Sequence, residues 1–153
     1  MPLAFAMALD MPVAELLAAI GHDGSEIVFP NLSEPLCRRC FHIQEPIQVA
    51  LARGFAATPV ELFPVLQPTE GGPHKTVLYA DNNWRRFEET IRASRGVIDG
   101  RGARFGHVVA YDHGRICDPK GSVYDYSRLA CEAHQFYTRC AWRIDPVGER
   151  TRE

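Results

Sequence analysis

Hydrophobic positions near the amino terminus recur at helical spacing. Between Leu3 and Ile20, apolar side chains return every three or four residues, at Phe5, Leu9, Val13, Leu16, Leu17 and Ile20. This spacing places them on one face of an α-helix. Pro12 interrupts the pattern, so two short helices are predicted, with Pro12 in the first turn of the second and Gly21 as its stop.

The middle of the chain combines short apolar runs with turn-forming residues. A helix is predicted from about Pro46 to Arg53, because proline suits a first helical turn and Gly54 suits a helix end. Thr58 and Glu61 have the spacing of a capping box, which predicts a short helical turn. The other elements predicted here are an extended segment over Glu26–Phe29, loops over Asn31–Cys40 and Thr69–His74, and a strand over Thr76–Ala80.

The pattern changes from helical to alternating in the second half. A helix is predicted from Asp81 or Asn82 through Arg95, with Gly96 as its stop and one apolar stripe formed by Trp84, Phe87 and Ile91. The later elements predicted are a hairpin over 105–119, a strand over Val123–Tyr126, a helix from Ser127 to His134, a strand over Phe136–Ile144 and a polar tail over 148–153. Helices first and antiparallel strands later indicate an α+β fold, in a single domain over 1–147.

The hairpin sets a histidine beside a carboxylate. A two-residue turn at His113-Gly114 needs positive φ at both positions, which glycine adopts freely and histidine tolerates. With this turn, alternation of side chains puts His107 and Asp118 diagonally on one face of the two strands. We therefore expect a hydrogen bond between them, in which the carboxylate holds the imidazole in one tautomer, as a catalytic base requires. A structural pair without catalysis is the alternative.

Composition narrows the class of protein. The chain has 153 residues and a formal net charge of −2, so it lacks the basic character that nucleic acids or anionic membranes attract. No apolar run approaches the roughly 20 residues of a membrane span. Five cysteines, an odd number, favour a reducing compartment over a disulfide framework. A cytoplasmic protein is predicted, with no nucleic-acid or membrane partner and no cofactor.

Both ends of the chain resemble papain-like cysteine peptidases, in particular the bacteriocin-processing group. Those proteins open with Cys-Gly-Pro and a helix of the pattern Ala-Met-x-Leu, and later carry a strand that begins with His, a turn, and a strand that ends in Asp-Pro. Four residues match the first pattern in spacing, namely Pro2, Ala6, Met7 and Leu9. His107 and the pair Asp118-Pro119 match the second.

The resemblance implies a papain-like fold, with N-terminal helices packed on an antiparallel sheet, and attack of a cysteine thiolate on an amide or thioester carbonyl. It assigns His107 as the base and Asp118 as the residue that orients it. Aligned in this way, the nucleophilic cysteine falls immediately before Met1, where the dipole of the first helix would stabilise its thiolate. The oxyanion-stabilising glutamine of the family falls further upstream.

Two alternatives involve cysteines inside the chain. Cys40 lies beside Arg38 and Arg39 and shortly before a predicted helix, which favours a lowered thiol pKa and makes it a rival nucleophile. The spacing of cysteine and histidine residues is also compatible with a zinc site. Its candidate ligands are Cys37, Cys40 and His42, completed by Cys131, His134 or Cys140.

These observations lead to three functional hypotheses. The first is a papain-like cysteine peptidase or amide hydrolase that acts on a peptide or small amide through His107 and Asp118. The second is a pseudoenzyme of the same fold that binds a peptide without cleaving it. The third is a small interaction module stabilised by zinc. Substrate, oligomeric state and the role of residues 22–73 are left open.

Overall fold

The structure is a computed structural model that describes residues 1–62, 65–66, 77–78, 81–102 and 105–147. The loop predicted over 69–74 and the tail over 148–153 lie outside the described residues. So does most of the strand predicted over 76–80, of which Val77–Leu78 is described and is a strand. We number this strand β3; it pairs antiparallel with β2, Val65–Leu66.

Three helices precede the main sheet. They are α1 (Pro2–Ala8), α2 (Val13–Ile20) and α3 (Gln44–Ala52). The predicted break at Pro12 is confirmed, and Gly21 ends α2 in the left-handed conformation with φ of 89°. α3 begins two residues earlier than predicted, because Pro46 occupies the third helical position, where its missing N–H has no helical partner to lose.

The helical turn predicted at Thr58–Glu61 is wrong. These residues belong to a strand, β1 (Phe55–Glu61), which pairs along its whole length with the last strand. β1 lies at the edge of the sheet, where Pro59 is tolerated because one side of the strand makes no ladder hydrogen bonds. Long-range pairing therefore overrides the local capping signal.

The helix predicted through Arg95 ends earlier, and a strand that the sequence did not predict follows it. α4 spans Asp81–Ala93, and β4 spans Arg95–Arg101. Gly96 is a strand residue rather than a helix stop. A Cβ atom there would lie 2.0 Å from the carbonyl oxygen of Trp142, so this position needs glycine to let two backbones approach.

The remaining elements follow the predicted order. They are β5 (Gly106–Asp112), β6 (Arg115–Cys117), β7 (Val123–Asp125), α5 (Arg128–Ala133) and β8 (Tyr137–Pro146). The predicted turn is confirmed, since His113 and Gly114 have φ of 46° and 86° and Asp112 pairs with Arg115. Ser127 caps α5 as predicted, its hydroxyl accepting a hydrogen bond from the Ala130 amide at 3.0 Å.

Six strands form the main antiparallel sheet in the order β1-β8-β4-β5-β6-β7. One face packs on α1, α2 and α3, as expected for N-terminal helices on an antiparallel sheet, and the α+β class is confirmed. The other face packs on α4 and α5. Alternation along β5 sends Val108 and Ala110 into the first core and Val109 and Tyr111 into the second.

Within the residues described, no single helix is long and apolar enough to cross a bilayer. α1 and α2 reach that length only jointly, across a bend of 115°.

Candidate functional site

The structure brings His107 and Asp118 together. His107 Nε2 lies 2.8 Å from Asp118 Oδ1, across the β5–β6 hairpin, as the predicted register requires. Their side chains are 17% and 8% exposed. A second His–Asp pair in the same hairpin, His113 with Asp112, is 68% exposed on both sides. Only the first pair is shielded from water, which strengthens its electrostatic coupling.

The turn after β6 holds the Asp118 carboxylate in place. Its Oδ1 also accepts a hydrogen bond from the Lys120 amide at 2.8 Å, and the Gly121 amide donates to the Asp118 carbonyl at 2.8 Å. Gly121 has φ of 99°, a conformation that favours glycine. The carboxylate is therefore oriented by the backbone before it meets the imidazole, as an orienting group requires.

One nitrogen of His107 is available for proton transfer. Nε2 is engaged by Asp118, and no hydrogen bond to Nδ1 is formed within the residues described. The ring meets Phe136 edge-on, with centroids 5.8 Å apart. Phe136 belongs to the second core, so the imidazole lies on the α4–α5 side of the sheet. The geometry leaves Nδ1 as the nitrogen that could accept or donate a proton.

The first helix packs on the opposite face. Ala4, Phe5 and Ala8 of α1 belong to the first core, and Met1 packs partly buried against it. His107 is the second residue of β5, so its ring stands near the end of the sheet. α1 and His107 lie on opposite faces of the sheet, so a group at the start of α1 could approach the imidazole only around the end of the sheet where β5 begins.

None of the five cysteine thiols contacts His107 in the described part of the chain. Cys40 is exposed, and its Sγ lies 3.9 Å from the Pro35 carbonyl oxygen, between α2 and α3. Cys117 packs against the first core, away from the imidazole. Cys131 is buried, and desolvation raises the pKa of its thiol to about 11. The structure does not join Cys40 to the His–Asp pair.

The zinc ligands predicted from spacing are not brought together. Cys37 and Cys40 lie in the segment between α2 and α3, whereas Cys131 lies in α5 against the second core. Among the residues described, no group of three or more His, Cys, Asp or Glu side chains is placed to hold a metal ion. The geometry offers no support for the zinc-stabilised module.

The structure also contains a cleft that the sequence did not predict. Its volume is about 280 Å³, and its wall includes Phe136, the ring that meets His107 edge-on. The remaining lining residues come from α4, α5 and the adjoining ends of β4 and β8: Trp84, Arg101, Arg128, Cys131, Glu132, Tyr137, Thr138 and Arg139. No spacing rule connects residues so distant in sequence, so only the fold reveals the cleft.

No protein-family model, curated protein or solved structure matches the chain.

Proposed function

We propose that this chain is a papain-like cysteine peptidase or amide hydrolase in which His107 is the general base and Asp118 orients it. The observation that carries the proposal is the shielded 2.8 Å contact between the imidazole and a carboxylate that the backbone has already oriented. The nucleophile is a cysteine directly before Met1, at the position where the family resemblance places it. Peptides or small amides are the substrates.

The catalytic roles of the thiol and of His107 follow from the availability of Nδ1 of His107. The thiol gives its proton to Nδ1 of His107, and the thiolate attacks the carbonyl carbon. The C–N bond then breaks as the imidazolium returns that proton to the leaving amine, which leaves an acyl group on sulfur. Water, deprotonated by the same imidazole, releases the acid and regenerates the thiol. Asp118 stabilises the imidazolium between these steps.

The orientation of α1 supports an approach of its amino end to the imidazole. The Arg95 guanidinium donates a hydrogen bond to the Ala8 carbonyl and so ties the carboxyl end of α1 to the start of β4. His107 pairs with Gly100, near the other end of β4. The amino end of α1 is thus the end available to meet His107, past the end of β5.

The proposal is tested by comparing the chain with a version that carries one cysteine inserted before Met1. We expect the inserted thiol to react with iodoacetamide at pH 7 at least roughly tenfold faster than the five others, with sites identified by peptide mapping. His107→Ala should abolish this preference, and Asp118→Asn should reduce it.

His113→Ala is the matched control, because His113 belongs to the exposed pair of the same hairpin and should leave the preference intact. Equal labelling of all thiols, or equal effects of the two histidine substitutions, would contradict the hydrolase proposal. Hydrolysis of a peptide anilide, lost in His107→Ala, completes the measurement.

A second candidate function, peptide binding without cleavage, is favoured by the position of the thiols. None of the cysteines within residues 1–153 touches His107 in the described structure, whereas a cleft adjoins it. In that case a peptide would bind beside His107 with or without the inserted cysteine, and no hydrolysis would follow.

A further inference from the structure

The cleft beside His107 is built for an aromatic ring. Three aromatic side chains line it, namely Trp84, Phe136 and Tyr137. Its volume of about 280 Å³ is near the lower limit of small-molecule sites, roughly 300 Å³, so one large side chain fills it. Aromatic walls favour stacked or edge-on contacts with such a ring.

The charge at the cleft is positive. Three guanidinium groups line it against a single carboxylate, that of Glu132. Arg128 pairs with Glu132 at 3.0 Å and stands 5.6 Å over the Trp84 ring. Arg139 pairs with Asp99 at 2.7 Å. Both of these guanidinium groups are thus compensated by carboxylates.

Arg101 is the exception. Within the described part of the chain it forms no ion pair and no side-chain hydrogen bond. It pairs through its backbone with Tyr137 at the end of the β4–β8 ladder. An exposed arginine that lines an aromatic cleft and has no partner among the described residues is suited to a carboxylate, which its planar fork binds through two hydrogen bonds.

Arg101 also stands where the cleft continues toward His107. A second depression, of about 470 Å³, shares Arg101 and Tyr137 with the first and is lined further by Gly102 and Gln135. A Cβ atom at Gly102 would lie 3.7 Å from the Cβ of His107. The two depressions therefore meet at Arg101 and Tyr137, and the second includes Gly102, whose backbone lies beside His107. We refer to them together as the path from His107 to the aromatic walls.

We infer that this path is a substrate subsite for an aromatic residue that carries or adjoins a carboxylate, within one or two residues of the bond at His107. The 5.8 Å between the His107 and Phe136 rings is shorter than two residues of extended chain, at about 3.3 Å each. As a subsite, it rests on the proposed hydrolase function. As a binding site, it requires no catalysis.

The test uses the full chain without any added cysteine and three small probes. They are N-acetyl-phenylalanine, which has a terminal carboxylate, N-acetyl-phenylalaninamide, which has none, and N-acetyl-aspartyl-phenylalaninamide, whose carboxylate is on a side chain. Binding is followed by NMR of the two tryptophan indoles. Trp84 lines the cleft, whereas Trp142 packs against the first core on the other face and serves as an internal control.

At least one carboxylate probe should shift the Trp84 indole signal, leave that of Trp142 unchanged and bind about tenfold more tightly than the amide. Whichever of the two carboxylate probes binds more tightly shows whether the site prefers a carboxylate at the chain end or one on a side chain. Arg101→Gln should remove the preference. Arg85→Gln, on an exposed arginine of α4 outside the cleft, should preserve it.

Equal binding of the acids and the amide, a preference that survives Arg101→Gln, or equal shifts of both indoles would overturn the inference. The outcome for the subsite can be distinguished from the outcome for the proposed hydrolase function. Binding with the carboxylate preference, in a protein that keeps His107 but whose inserted cysteine reacts no faster than the other five, supports the subsite and contradicts the hydrolase. Hydrolysis without a carboxylate preference does the reverse.

Discussion

The two His–Asp pairs of one hairpin differ in what surrounds them. His107 and Asp118 are largely shielded, and the carboxylate also accepts the Lys120 amide. His113 and Asp112 stand in solvent at the turn. The two pairs therefore contribute differently to the free energy of unfolding, although they consist of the same residue types, because water screens the second pair far more than the first.

This contrast predicts unequal losses of stability. Asp118→Ala should lower the free energy of unfolding by about 1–3 kcal/mol, since it leaves a shielded imidazole and a backbone amide without their acceptor. Asp112→Ala should change it by less than about 0.5 kcal/mol. Urea unfolding at pH 7 measures both. Similar losses for the two substitutions would show that shielding is not what distinguishes the pairs.

Ionisable groups buried in the second core predict a sensitivity to alkali. Desolvation raises the pKa of Tyr111 to about 12, raises that of Cys131 to about 11, and raises those of Tyr124 and Tyr126 as well. The unfolded chain releases these protons near pH 9 to 10, whereas the folded chain retains them. Their contribution to stability is therefore complete below about pH 9 and is lost as the pH rises toward 12.

We expect the urea midpoint to be flat from pH 7 to 9 and to fall above pH 10. Tyr111 alone should account for about 1 kcal/mol per pH unit between 10 and 12. Tyr111→Phe should make the alkaline decline shallower by that amount. An unchanged slope in this variant would contradict the assignment, as would release of all tyrosine protons near pH 10 without unfolding, seen in the absorbance at 295 nm.

Among the secondary-structure elements, β4 lies at the centre of the sheet although only Val97 and Ile98 of its residues are strong strand formers. It lies between β8 and β5 and contains two glycines, Gly96 and Gly100. Both allow close approach, since a Cβ at either position would meet a backbone oxygen of β8, at 2.0 Å and 2.5 Å. The weak local pattern of β4 is thus compensated by pairing on both sides.

Gly96→Ala is therefore expected to lower the free energy of unfolding by about 3 kcal/mol or more, because the new methyl group overlaps the Trp142 carbonyl. Gly106→Ala, also within the sheet, is the matched control, since its nearest neighbour atom would lie 4.0 Å away. It should be neutral or slightly stabilising. Thermal unfolding of the two variants compares them, and equal shifts would refute the close-approach explanation.

Across the whole molecule, the sheet separates two layers of helices, which differ in the part of the proposed site that they carry. The α1–α3 layer covers the first core, and the α4–α5 layer covers the second, where His107 and the aromatic cleft lie. The proposed nucleophile belongs to the first layer and the base to the second. Under this proposal, the site forms at the end of the sheet where β5 begins, the place at which a group of the first layer could reach His107.

Local chemistry was enough to predict much of this arrangement. The break at Pro12, the Gly21 helix end, the Ser127 cap and the His113-Gly114 turn depend on residues within a few positions of each other. The contact between His107 and Asp118 follows from the turn and from the two-residue period of strands. Short-range geometry therefore predicted the candidate pair as well as the hairpin.

Long-range pairing decided the rest. Thr58–Glu61 is a strand because β8 pairs with it, and β4 exists because β8 and β5 flank it. The aromatic cleft joins Trp84, Arg101 and Phe136, which no local pattern connects. Helix caps and turns are stabilised by neighbours in sequence, whereas sheet partners and cleft walls are stabilised by residues that meet only after the chain has folded.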